Sequence, residues 1–153
     1  MSCIYRGKIL ETELSKNSNG GTEQMRNRLI KNIDKSVLTD LAIHLSRPRI
    51  IYDDVPNILW LHDLPSDPAN EFLKTHVDYF VAFVFVSHWQ MKSYLEHFDL
   101  PLDKCHVIEN AIENCDSTFN KPNDVVNFIY HTTPHRGLDI AYWVFNNLKS
   151  LTE

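Results

Sequence analysis

The stretch NILWLHDLPSDP, residues 57–68, decides how the chain is read. Ile58, Leu59, Trp60 and Leu61 form an apolar run that stops at His62 and Asp63, then turns through Leu64, Pro65, Ser66, Asp67 and Pro68. A short apolar run bounded by polar groups and prolines predicts a strand buried on both faces, as in a parallel sheet. Open α/β sheets bind ligands outside the carboxyl ends of such strands, which is where His62 and Asp63 fall. Two readings stand side by side. His62 is a functional imidazole able to change protonation near neutrality, or it is a satisfied buried histidine beside an aspartate that caps a turn.

Working outward, residues 77–86 predict a second buried strand, rich in Val, Phe and Tyr and apolar except for Asp78. Such a central strand is expected to be covered on both faces. Ser87 is the natural N-cap of a following helix, with Met91, Tyr94, Leu95 and Phe98 at helical spacing. Residues 68–75 predict a short helix with proline in its first turn. Residues 104–108 predict another strand. Towards the amino terminus, residues 3–5 or 8–10 supply a first strand, and residues 16–21 form a polar loop ending in Gly20 and Gly21. A helix then starts at Thr22, with Met25, Leu29, Ile30 and Ile33 on one face and Arg26, Arg28 and Lys31 on a solvated face. Between Asp34 and Arg49 the pattern allows a helix over 37–43 or a strand over 41–45, and 50–52 a brief strand.

Towards the carboxyl terminus, residues 114–124 read as a polar linker and 125–130 as a fresh strand. Residues 131–137 form a polar turn, and 138–151 an amphipathic helix. Alternating strands and helices predict an α/β fold: a Rossmann-like parallel sheet with flanking helices. The expected organisation is a domain over 1–113, a linker over 114–124 and the first βα unit of a second domain over 125–153.

Bulk properties narrow the function classes. The formal charge of −5 argues against a nucleic-acid footprint, which needs clustered Lys and Arg. Cys3, Cys105 and Cys115 are sparse and lack CxxC spacing, so neither a disulfide framework nor a zinc site is expected. His131 and His135 are separated by Pro134, which favours a turn over a helical metal-ligand pair. Ser87 lacks the G-x-S-x-G elbow of a nucleophilic serine, so Ser87, His88 and Trp89 read as cap and packing groups. The opening residues carry no apolar signal segment and no run is long enough to span a bilayer, so a reducing, cytoplasmic location is expected.

Five short motifs occur in order: GGTE at 20–23, LHD at 61–63, VSHWQ at 86–90, VIENAI at 107–112 and YHTTPHRGLD at 130–139. Together they resemble a GT-B glycosyltransferase of the group 1, or family four, type, from about residue 17 to residue 148. The resemblance implies two α/β domains flanking a cleft, with a nucleotide-sugar as donor substrate and no separate cofactor or metal. Gly20 and Gly21 would border the donor phosphates and the acceptor, with Glu23, Asp63 and Ser87 beside them. His62 would lie at the reacting sugar as the catalytic residue. Arg136 and Gly137, with Thr133 in the same turn, would hold the diphosphate, where a guanidinium and helix N–H groups offset the leaving group's charge. Family members carry an arginine about where His131 stands, and their second domain continues for many more elements. The resemblance therefore implies a first domain and the opening of a truncated donor-side domain, acting as a homo-oligomer or with a complementing donor-domain chain. The alternative is a non-catalytic Rossmann-like binding or assembly module.

Overall fold

The computed structural model describes residues 2–11, 20–112, 128–130 and 136–150. The chain divides into two compact units, Met1–Glu113 and Asn114–Glu153.

The first unit is mixed α/β. Its strands are β1 (Ser2–Tyr5), β2 (Lys8–Glu11), β3 (Ala42–Leu45), β4 (Asn57–Leu61), β5 (Phe80–Phe85) and β6 (Cys105–Val107). They form one six-stranded sheet in the order β2-β1-β3-β4-β5-β6. Strands β3 to β6 are parallel, and the β1–β2 hairpin is antiparallel to its neighbours. The helices are α1 (Gly21–Asn32), the single-turn α2 (Leu73–His76) and α3 (His88–His97). This mostly parallel sheet with flanking helices is compatible with a Rossmann-like arrangement.

The apolar run 58–61 is buried on both sides, as its composition requires. Leu59 and Leu61 join a core with Leu73, Phe83, Phe85 and Tyr94. Ile58 and Trp60 face the opposite core, with Ile4, Met25, Ile43 and Leu45. The split follows the two-residue period of a strand. Each large side chain removed from water contributes roughly 1.5–3 kcal/mol.

Several expectations are revised. Both candidate first strands exist. They pair through a two-residue turn in which Arg6 and Gly7 have φ of 47° and 71°. Positive φ at both positions is the type I′ geometry that matches strand twist, and glycine takes one of them without steric cost. No helix links β3 to β4, because residues 46–56 are irregular and include the expected strand at 50–52. Lys35–Leu38 forms a 3-10 turn, which leaves β3 as the strand reading of that region. The 68–75 helix splits into a 3-10 turn at Pro68–Asn70 and α2. Val77–Tyr79 is a 3-10 turn, so β5 begins at Phe80.

Nor is β5 covered throughout. Asn57 pairs with Phe80 and Ile58 with Ala82, so Val81 is an extra residue in a bulge and is 52% exposed. Arg26, expected in a solvated row, is 6% exposed and donates to Asn27 Oδ1. Arg28 donates to the Ala111 carbonyl at 2.8 Å.

In the second unit, α4 (Leu138–Ser150) is the described helix. Residues 128–130 are not a strand, while 125–127, the linker 114–124, Thr133 and both His131 and His135 lie outside the described residues. Among the described residues no helix is long and apolar enough to cross a membrane.

Candidate functional site

The carboxyl ends of β3, β4 and β5 bring polar groups to one edge of the first unit. Strand β3 leaves the sheet through Ser46, which has φ +61°. The Arg47 N–H donates to the Leu45 carbonyl at 2.8 Å, closing a three-residue γ-turn around Ser46. A left-handed φ on a non-glycine residue costs about 1–2 kcal/mol. The buried serine is held by both neighbours: its N–H donates to Trp60 O at 2.9 Å and its Oγ accepts the His62 N–H at 3.0 Å. A side-chain oxygen thus continues the β3–β4 ladder beyond the last strand residue and fixes the backbone of His62.

Trp60 and His62 lie two apart, on the same face of the strand. Their rings are 4.8 Å apart between centroids and tilted by 47°. Trp60 Nε1 and His62 Nε2 are both buried and have no hydrogen-bond partner among the described residues. Burial lowers the His62 pKa below its ordinary value, and the nearby Asp63 and Glu23 charges offset this only in part. At neutral pH the ring is therefore a neutral imidazole, with one nitrogen able to donate and the other to accept. A buried polar atom without a partner costs about 1–3 kcal/mol, and a ligand group that supplies the bond recovers it.

Asp63 is held through both its carboxylate and its carbonyl. Arg47 reaches its carboxylate at 3.3 Å and that of Asp67 at 2.5 Å. The Asp63 carbonyl accepts Gln90 Nε2 at 2.9 Å and the Tyr94 hydroxyl at 3.2 Å. Asn70 Nδ2 donates to Leu64 O and to the Tyr94 hydroxyl, each at 2.8 Å. These bonds fix the segment after β4 against α3. Ser87 Oγ accepts the Gln90 N–H at 3.1 Å, so its side chain is the N-cap of α3.

At the start of α1, Gly20 is the N-cap residue and provides no side-chain cap. A Cβ on Gly20 would lie 2.9 Å from Glu23 Oε2, whereas one on Gly21 would meet nothing within 4 Å. Gly20 therefore leaves room for the Glu23 carboxylate to fold over the helix N-terminus, and Gly21 leaves the backbone open. The favourable interaction of an anion with a helix N-terminus is already taken by Glu23. A neutral hydroxyl-bearing group suits this place better than a second anion.

Glu23 and Asp63 thus both lie within electrostatic reach of His62. Arg136 and Gly137 belong to the second unit, directly before α4. Arg136 is exposed, Gly137 has φ +97°, and its carbonyl accepts the Ala141 N–H at 3.0 Å. The sequence assigns Ser46, Arg47, Gln90 and Tyr94 no role at the site, although Gln90 closes the VSHWQ motif and Tyr94 lies on the apolar helical face. Ser46 had one local signal, since it follows β3 as His62 follows β4. For Gln90 and Tyr94 no local signal points to Asp63, because that partner lies about thirty residues away at another strand end.

The chain matches no family model, no curated protein and no solved structure. Among the described residues no group of three or more His, Cys, Asp or Glu is placed to hold a metal ion.

Proposed function

We propose that the chain is a glycosyltransferase-like protein of GT-B type, in which the first unit presents His62 to a sugar and the second contributes Arg136 and Gly137 to a nucleotide diphosphate. The observation that carries this reading is the neutral, desolvated His62 ring at the carboxyl end of β4, with Nε2 lacking a partner among the described residues. A neutral imidazole can accept a hydrogen bond from a reacting hydroxyl or donate one to a sugar oxygen, which suits positioning and proton transfer. The exposed guanidinium of Arg136 suits a departing diphosphate. Glu23 at the α1 terminus directs the phosphates away from that helix and leaves its neighbourhood to sugar hydroxyls.

The test is a melting-temperature screen of the purified chain with UDP-, GDP- and ADP-sugars at millimolar concentration. At least one nucleotide-sugar is expected to raise the melting temperature. His62→Ala is expected to abolish any sugar transfer while retaining the wild-type circular dichroism. Turnover undiminished in that variant would remove His62 from the chemistry.

A second reading, a non-catalytic assembly module, is favoured by α4. Ile140, Tyr142 and Trp143 on this helix are about two-thirds exposed, and large exposed apolar groups mark interaction surfaces. Self-association in sedimentation velocity, with no response to any nucleotide-sugar, would support that reading over the first.

A further inference from the structure

We propose that the cleft at the amino ends of β4 and β5 binds an organic cation, an alkylguanidinium or alkylammonium group on an apolar stem. The cleft measures about 450 Å³ and lies at the opposite end of the parallel strands from His62. That volume is in the range of small-molecule sites, about 300–1,000 Å³. Its walls include Tyr52, Asp53, Pro56, Tyr79 and Val81.

Three features make it a built site. The first is its rigid floor. Asn57 is buried and uses its whole amide: Oδ1 accepts the Tyr52 N–H at 3.2 Å, and Nδ2 donates to Tyr52 O at 2.7 Å and to Val55 O at 3.3 Å. The loop before β4 is pinned to the strand it enters. Tyr52 is held again by stacking on Tyr5, with ring centroids 4.0 Å apart.

The second is the bulge. An extra residue in a parallel pair is uncommon, and bulges re-aim side chains. Here the bulge delivers Val81 to the cleft. Val81 and Tyr79 are each 52% exposed; Val81 gives a carbon surface for an apolar stem, and Tyr79, whose ring packs against His76 at 5.6 Å between centroids, keeps half its surface for a cation.

The third is charge. Asp53 and Asp54 are consecutive, but only Asp54 is engaged. It accepts the Tyr5 hydroxyl at 2.8 Å and Arg6 Nη2 at 3.0 Å, and the Arg6 guanidinium lies 5.8 Å from the Tyr5 ring centroid. The protein thus already holds one guanidinium between a carboxylate and a tyrosine. Asp53, with no ion-pair partner among the described residues, lines the same cleft as Tyr79 and offers it the same two residue types. A chain carrying a formal charge of −5 also attracts cations at long range.

The experiment is an amide chemical-shift titration of the isotope-labelled full chain. The ligands are agmatine, a short peptide with one central arginine, and the neutral analogue N-butylurea. Shifts are expected at residues 52–57 and 79–81 for the two cations, weakening as salt is raised, and not for N-butylurea. Tighter binding of agmatine identifies a free amine as the natural source, and tighter binding of the peptide a side chain of a partner protein. Asp53→Asn, at an exposed position, is expected to weaken binding roughly tenfold, the equivalent of about 1.4 kcal/mol. Tyr79→Ala is expected to weaken it further. The proposal is overturned if N-butylurea binds as well as agmatine, if neither cation shifts these residues, or if Asp53→Asn binds unchanged. Each of these outcomes is independent of the nucleotide-sugar reading, which concerns the opposite edge.

Discussion

Replacing Asn57 tests both the packing logic of the sheet and the protonation state within it. The Asn57 amide orientation is fixed by its partners, since the Nδ2 side faces the carbonyls of Tyr52 and Val55. Oδ1 therefore faces His44 Nε2 at 2.8 Å, so that nitrogen must carry the hydrogen. The His44 ring is buried, stacked on Tyr52 and edge-on to Phe80 at 5.9 Å in each case. Asn57→Ala leaves a buried N–H without an acceptor, at about 1–3 kcal/mol, and removes three loop bonds that contribute about 0.5–1 kcal/mol each. The sum is about 2.5–6 kcal/mol, a large part of the stability of an ordinary domain.

The pH dependence supplies a second readout. Burial lowers the His44 pKa below 6.5, and the Asn57 bond opposes this only in part. The unfolded chain therefore binds the proton more readily than the folded one. Stability is fully present above the unfolded value of 6.5 and is lost as pH falls through the lower folded value. The loss approaches about 1.4 kcal/mol per pH unit for each such ring. His62 contributes with the same sign. Asn57→Asp places a carboxylate against His44 and favours the charged ring, so the slope between pH 7 and pH 5 is expected to shrink. Urea denaturation of the wild type and both variants at the two pH values measures all of this. A cost below about 1 kcal/mol for Asn57→Ala, or an unchanged slope for Asn57→Asp, would refute the reasoning.

Two further outcomes are expected from equilibrium denaturation. Ser46→Gly relieves the strained φ and loses one hydrogen bond, two effects of about 1 kcal/mol that nearly cancel. Ser46→Ala keeps the strain and loses the bond, at a cost of about 1–2 kcal/mol, and equal stability of the two variants would rule out the strain. Tyr94→Phe is expected to cost only about 1 kcal/mol, because Asp63 O keeps Gln90 and Asn70 keeps Leu64. Gln90→Leu is expected to cost about 2 kcal/mol or more, because it strands the Val86 N–H that Gln90 Oε1 accepts at 2.9 Å. The opposite ranking would show that the segment after β4 is held by other contacts.

What was legible in the sequence follows from range. The 58–61 strand, the α1 face through Met25, Leu29 and Ile30, and the Ser87 cap depend on neighbours a few residues apart, and periodicity reveals them. The hairpin rests on a two-residue turn in which Gly7 is the only local clue. The 46–56 connection is irregular, and Asn57 satisfies its Tyr52 and Val55 backbone groups from the following strand, through bonds that no periodic pattern encodes. The bulge at Val81 is invisible for the same reason: an apolar residue in an apolar strand gives no sign that it lacks a partner across the ladder. At the site, the position of His62 was readable as the end of a strand. The company of Ser46, Gln90 and Tyr94 depends on which strands are neighbours. The burial of Arg26 likewise contradicts its amphipathic position, since helical spacing assigns a face but not what covers it.

The order of the parallel strands has a consequence for how the sheet is assembled. Strands β3, β4, β5 and β6 are neighbours in the sheet in the same sequence as along the chain. Each new strand can therefore be added at a free edge, and none has to be inserted between two that are already paired. The β1–β2 hairpin is local in sequence, so it can pair with β3 as soon as that strand is available and cap the edge from which the rest extends. The sheet can grow outward from β3 in the direction in which the chain itself is synthesised.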